Sequence, residues 1–241
     1  NYLISEGFYE CYNLSFISED DSNIFTPARD LVSVSNPIDE TQEYLITTST
    51  TQLLKNIVYN INLGNDIHPL YEVGISFNNK PNNLDINIPE QNNYLSLVIP
   101  EKIAPKDNRC TEQVIDIHYI GSLLKGLTKA KLTYEKISRP GLHSEQSFTI
   151  FCNELIIGWF GKVSEVSKEY FGLKLDSYIS EINLDKLFQL DDEQNLFYNI
   201  SSFPFIKFDL SFEITEDLKA VELVNYIYDI FSEYENSSYI F

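Results

Sequence analysis

The side chains of this 241-residue chain best suited to chemistry are its histidines, cysteines and acidic runs. His68, His118 and His143 are scattered, and none has a cysteine or carboxylate at the short spacing that brings two ligands to one metal ion. Cys11, Cys110 and Cys152 show no paired spacing and read as reduced, partly buried thiols of a reducing compartment. Glu19-Asp20-Asp21 and Asp191-Asp192-Glu193 offer the hard oxygens a divalent cation prefers, yet consecutive carboxylates of this kind read as solvated loops. The Gly-x-x-x-x-Gly-Lys phosphate loop, Gly-x-Gly-x-x-Gly and the Gly-x-Ser-x-Gly elbow do not occur. No catalytic residue and no metal ligand is therefore assigned. Gly158-Trp159-Phe160-Gly161 is the notable glycine pair, expected to let a strand turn closely against a following helix.

Composition sets the frame that must position these residues. With 43% hydrophobic and 22% charged residues the chain can bury a sizeable core. It has no apolar run near the ~20 residues that span a bilayer, so no membrane partner is expected. The net charge of −19 argues against a general nucleic-acid binder, whose affinity comes mainly from neutralising phosphates. The charge is unevenly spread. Eight of the 17 basic residues fall between Lys102 and Arg139 against four acids, whereas from Glu181 onward thirteen acids face three lysines. The chain contains no Met and opens on Asn1 without a targeting pattern, so a segment of a longer cytoplasmic protein is expected.

Periodicity gives the elements. Tyr2–Glu10 reads as the end of an amphipathic helix, and Cys11–Ile17 as a half-buried strand with Tyr12, Leu14 and Phe16 on one side. A short strand at Leu31–Val34 precedes a helix over Thr50–Asn60 and a strand over His68–Phe77. Asn78–Asn93 reads as a loop or hairpin tip. Val114–Leu127 alternates apolar and polar residues before a helical turn. Ser147–Cys152 and Leu155–Phe160 form a hairpin about Asn153-Glu154, followed by a helix over Val163–Phe171 closed by Gly172. A strand over Tyr178–Asn183 leads into a helix over Leu184–Leu190. Beyond the acidic linker, Ile206–Ile214 reads as a strand and Asp217–Phe231 as a helix. The pattern predicts an α+β fold: an antiparallel sheet flanked by helices over residues 1–195, and over 196–241 the truncated start of a further βα unit.

Taken in order, these segments carry a family likeness. The blocks are Gly7-Phe8-Tyr9-Glu10, Asn13-Leu14-Ser15-Phe16, Ser35-Asn36-Pro37-Ile38, Tyr44 to Ser49 with Leu53-Leu54, and Leu70 to Phe77. They continue through Val114 to Ile117, Leu124-Lys125-Gly126, Arg139 to Ser144, Ile157 to Val163, Ile182 to Leu187, and Ile200 to Pro204 followed by Lys207 to Phe212. The ordered set resembles the C-terminal part of the β subunit of bacterial phenylalanyl-tRNA synthetase. Three positions depart from the family pattern: Ile46 and Phe208 stand where it usually has Arg, and Ser164-Glu165 where it has His-Pro.

The resemblance implies a catalytically silent module with the fold of class II synthetases, then the start of a ferredoxin-fold anticodon-binding domain. It implies docking to the catalytic α subunit in an α2β2 heterotetramer, a contribution to binding tRNA(Phe), and no cofactor in this segment, ATP and magnesium serving the parent enzyme elsewhere. A class II site clamps ATP phosphates with fixed guanidinium groups, and neither Leu70–Phe77 nor Tyr178–Asn183 carries an Arg. Tyr2, Leu3, Gly7, Phe8, Leu53 and Leu54 are the expected subunit-interface residues. Lys125, Lys129, Lys131 and Lys207 are the expected tRNA contacts, the alternative for the basic segment being a solvated face. A different reading of the whole is a free-standing divergent paralogue that binds a protein or a small ligand in the degenerate cleft.

Overall fold

In this computed structural model the described residues are 2–25, 31–39, 41–81, 88–103, 113–190, 211, 222–224, 226–227 and 229–230. The chain divides into two compact units, Asn1–Glu193 and Gln194–Phe241. The first opens with helix α1 (Tyr2–Ser5), strands β1 (Tyr9–Glu10) and β2 (Phe16–Ile17), helix α2 (Glu19–Asn23), and strands β3 (Val32–Ser33) and β4 (Tyr44–Leu45). Helix α3 (Thr50–Asn62) leads into the long pair β5 (Leu70–Pro81) and β6 (Pro89–Pro100), then β7 (Lys102–Ile103) and β8 (Gln113–Val114). Helix α4 (Ile117–Lys125) is followed by β9 (Leu132–Lys136), β10 (Leu142–Cys152), β11 (Leu155–Val163), α5 (Glu165–Phe171), β12 (Ser177–Asn183) and α6 (Leu184–Leu190). The described residues of the second unit between 222 and 230 are helical. The expected strand over Ile206–Ile214 lies almost wholly outside the described residues.

Seven strands form the central sheet in the order β1-β5-β6-β12-β11-β10-β9, antiparallel throughout except for the parallel pair β1–β5. Both faces are covered, so the side-chain alternation of each strand feeds two cores. Leu95, Leu97 and Ile99 of β6, with Tyr178 and Ile182 of β12, meet Leu3, Phe8 and Ile120, Leu123 and Leu124 of α4. On the opposite face Val98 and Ile179 meet Leu53, Leu54 and Ile57 of α3 and Phe171 of α5. Strand β12 lies between β6 and β11, and all seven of its residues are buried.

Local chemistry accounts for most element boundaries. The β10–β11 hairpin turns through Asn153 and Glu154, both at positive φ (48° and 69°), the conformation of a two-residue turn whose twist matches its strands. Ser164 caps α5 by accepting from the Ser167 amide, and Gly172 closes it in the left-handed region. The Ser164-Glu165 departure from the family pattern is thus a helix start. Asp116 likewise accepts from the Tyr119 amide at 2.8 Å and starts α4. That cap, with Ile120, Leu123 and Leu124 on one face, makes a helix where alternation suggests extended chain.

Four further readings are corrected. Helix α1 ends at Ser5, because Gly7 adopts φ 89° and turns the chain into β1. Tyr12 and Leu14 are exposed, and only Phe16–Ile17 of that stretch is strand. The Asn-rich stretch is not one long loop: β5 and β6 stay paired from Leu70↔Val98 out to Asn78↔Glu90 and Pro81↔Pro89. Both Gly158 and Gly161 sit within β11. A Cβ on Gly158 would lie 2.2 Å from the Glu181 carbonyl oxygen and one on Gly161 2.8 Å from that of Gln146, so they serve strand-to-strand approach, not contact with a helix.

Leu54 is fully enclosed between α3 and the sheet. Leu54→Ala leaves a cavity there and lowers unfolding free energy by about 2–5 kcal/mol, measurable by denaturant titration followed by far-ultraviolet circular dichroism.

Candidate functional site

One end of the α3-covered face of the sheet is hollow. A cleft of about 440 Å³ is lined by Ser76 and Asn78 of β5, Tyr94 of β6, Glu181 and Asn183 of β12, and Trp159 of β11. The loop Ile137–Pro140 between β9 and β10 contributes Arg139, and Phe25 and Lys186 also border the space. The geometry follows from strand period. On β5 the side that carries Leu70 also carries Glu72, Gly74, Ser76 and Asn78, and on β12 Ile179 is followed on its side by Glu181 and Asn183. Apolar residues at one end of each strand therefore pack under α3, and polar ones at the other floor the cleft.

Glu181 dominates its electrostatics. It is 5% exposed, and burial pushes its carboxyl above the ordinary value of 4.5. Hydrogen bonding from the Thr48 and Trp159 side chains and the charge of Arg139 pull the other way, and burial outweighs them. The Arg139 guanidinium stacks over the Trp159 ring with Cζ 4.4 Å from the centroid. Three buried polar atoms of cleft-lining residues have no hydrogen-bond partner among the described residues: Glu181 Oε2, Arg139 Nε and Ser76 Oγ. The cleft's lysine, Lys186, donates from Nζ to the Ile156 carbonyl at 3.0 Å.

The other candidates are placed plainly. Among the described residues no three of His, Cys, Asp and Glu gather as metal ligands. Asp21 of the first acidic run is tied within α2, bonded to Ser18 and paired with Lys55, with Tyr170 donating to its other oxygen at 3.1 Å. Among the described residues no helix is long and apolar enough to cross a membrane.

The expected interface residues are largely interior. Leu3, Phe8, Leu53 and Leu54 belong to the chain's own two cores, Tyr2 is half-buried and donates to the Leu123 carbonyl at 3.2 Å, and Gly7 is half-buried at a turn. The apolar side chains of Leu3, Phe8, Leu53 and Leu54 are thus used within the chain. Lys125, Lys129 and Lys131 are exposed at the end of α4 and the approach to β9, and Lys207 lies outside the described residues. Of the cleft residues, Glu181 and Arg139 escape sequence reasoning. The available signal is a lone carboxylate inside the otherwise uncharged Ser177–Asn183 strand.

A sheet of this order, covered by helices on both faces, is similar in fold to class II synthetase domains. A pyrrolysyl tRNA synthetase from Desulfitobacterium hafniense superposes with a TM-score of 0.56 at 11% identity, covering 78% of this chain and 64% of that one, a likeness of fold alone. The family model described as the phenylalanyl tRNA synthetase beta chain CLM domain matches residues 1–184, and the chain belongs to that family. The phenylalanine–tRNA ligase beta subunit of a Bacillus cereus strain is 25% identical over 230 residues, or 92% of this chain. That of Buchnera aphidicola subsp. Acyrthosiphon pisum is 24% identical over 228 residues. The chain spans 28% of the length of each.

Because its folded-state carboxyl titrates above 4.5, Glu181 binds a proton more readily folded than unfolded, so the stability it allows is full below about pH 4.5 and declines as pH rises through the folded value. Glu181→Gln removes that decline. The variant should match the parent near pH 4 and exceed it in Tm at pH 7–8, a difference read by thermal melts across the pH range.

Proposed function

We propose that this chain is the non-catalytic core segment of a cytoplasmic phenylalanyl-tRNA synthetase β subunit. It supports attachment of phenylalanine to tRNA(Phe) by docking to the catalytic α subunit and by adding contacts to tRNA. The observation that carries the reading is membership of the beta chain family over residues 1–184. The cleft supports its silent half. A transferring phosphate needs converging guanidinium or metal charge, whereas here β5 and β12 deliver Ser76, Asn78, Glu181 and Asn183, and the cleft's Arg139 is stacked on Trp159. A buried carboxylate on the floor repels a triphosphate. ATP and magnesium belong to the parent enzyme's site outside this segment.

Docking falls to apolar surface that the chain leaves uncovered. On β5 the usual burial is inverted: Glu72 and Ser76 are buried, while Val73 and Ile75, two apart on the other side, are 49% and 43% exposed. The same edge strand is capped by β1 for only two residues. A partner surface that covers Val73 and Ile75 completes the sheet face. Val73→Glu with Ile75→Glu should weaken association with the α subunit by about tenfold or more, since it places two charges in an apolar contact. Titration of labelled chain with α subunit measures it, and unchanged affinity would remove β5 from the interface.

Lys125, Lys129 and Lys131 lie within seven residues of one another at the surface and supply the tRNA contacts. Changing all three to Glu in the intact complex should weaken tRNA(Phe) binding and lower the slope of log K against log[salt] by about one for each phosphate no longer neutralised. An unchanged slope would return this segment to a solvated face.

A further inference from the structure

Another hollow, of about 370 Å³, lies between the C-terminal end of α3, the loop that follows it and the start of β5. Its floor is apolar, since Ile57 and Leu70 line it and are buried. One wall is aromatic. The parallel pairing of β1 with β5 sets Tyr9 opposite Leu70 and its ring 4.4 Å from that of His68, yet Tyr9 stays 56% exposed. The loop is held in place: Gly64 turns it at φ 75°, and Asn65 donates back to Asn60 from its amide at 3.0 Å and from Nδ2 at 2.8 Å. Asp66 brings an exposed carboxylate to the rim. The charge around this space has one sign. Among the described residues no Lys or Arg lines it. Residues 2–25 contain neither, and Lys55, the one basic residue within 41–77, is paired with Asp21. Buried Glu72 of β5 accepts at 2.8 Å from both the amide and Nδ2 of Asn13, neutral donors that leave its negative charge uncancelled. That charge is felt in the hollow. Burial first, then the charges of Glu72 and Glu10, push the thiol of its Cys11 above the ordinary value, against a side-chain hydrogen bond with Asn56.

We propose that this hollow binds a small organic cation, an ammonium or quaternary ammonium carried on an apolar body. The charge lies against the Tyr9–His68 wall, where an aromatic face attracts a cation, and is balanced by Asp66 at the rim. The apolar body is received by Ile57 and Leu70. A neutral molecule of the same shape keeps the apolar contact and forgoes both charge terms. An anion meets Asp66 and the field of Glu72 and Glu10, with no basic side chain to offset them. The inference stands on this hollow alone and holds whether or not the chain docks to an α subunit.

The test uses the 241-residue chain without any α subunit. Choline is compared with its neutral isostere 3,3-dimethylbutan-1-ol, and 2-phenylethylamine with 2-phenylethanol and 3-phenylpropionate. Binding is followed by proton nuclear magnetic resonance at the ring of His68, one of three histidines, its signals assigned by their loss in His68→Gln. The single tryptophan, Trp159, lines the other cleft, so its fluorescence reports binding there. The expected result is a saturable shift of the His68 signals by at least one cation, with Trp159 emission unchanged. Its neutral isostere should bind about fivefold or more weaker. Tyr9→Leu and Asp66→Asn should each weaken the cation by about threefold or more, with circular dichroism matching the parent. Absence of saturable binding by either cation up to about 10 mM overturns the proposal. So does a neutral isostere or acid that binds as tightly, a cation that moves Trp159 emission and leaves His68 unshifted, or binding that either substitution leaves intact. Should a variant fail to fold, the comparison of cation with isostere on the parent chain decides alone.

Discussion

Strand β12 is the constraint on which the first unit depends. Its seven residues are all buried, it is paired on both sides, and it separates the two cores with alternate side chains: Tyr178 and Ile182 toward α4, Ile179 toward α3. Such a strand has no tolerance for slipped register, because a shift of one residue would exchange every side chain between the faces. The strands on either side answer to it. Gly158 of β11 lacks a side chain where the Glu181 backbone passes, and β6 presents Leu95, Leu97 and Ile99 in step with its alternation.

The same constraint makes Glu181 consequential. With register fixed by apolar neighbours, its carboxylate cannot swing to solvent, and it stays in the floor of the cleft above its ordinary pKa. An ionisable group held in this way lowers stability unless something pairs with it. Arg139 relieves part of the cost by its charge and Thr48 and Trp159 part by hydrogen bonds, leaving Oε2 over. The fold thus maintains a polar hollow at one end of the α3-covered face, floored by Ser76, Glu181 and Asn183.

Much of the architecture is legible in the sequence because it rests on short-range signals. The Asn153-Glu154 turn, the Ser164 and Gly172 boundaries of α5, and α6 directly after β12 are local matters of turn and cap chemistry. Sequence and structure part where two local rules compete. Val114–Leu127 alternates, but the Asp116 cap and the Ile120, Leu123 and Leu124 face prevail. That Leu3, Phe8, Leu53 and Leu54 are buried in the chain's own cores is not legible, because an apolar helix face looks the same in sequence whether it meets its own sheet or another chain. The cleft is not legible, since Ser76, Arg139 and Glu181 are brought together only by the order β5-β6-β12-β11-β10, which periodicity does not supply.

The proposed role rests on what this chain touches, so the most direct measurement is the mass of what it forms with the phenylalanyl-tRNA synthetase α subunit of its own source. Size-exclusion chromatography with light scattering gives it. The account predicts a single co-eluting species heavier than either chain, formed without ATP or phenylalanine. Two separate peaks at the masses of the free chains, at concentrations well above micromolar, would contradict it.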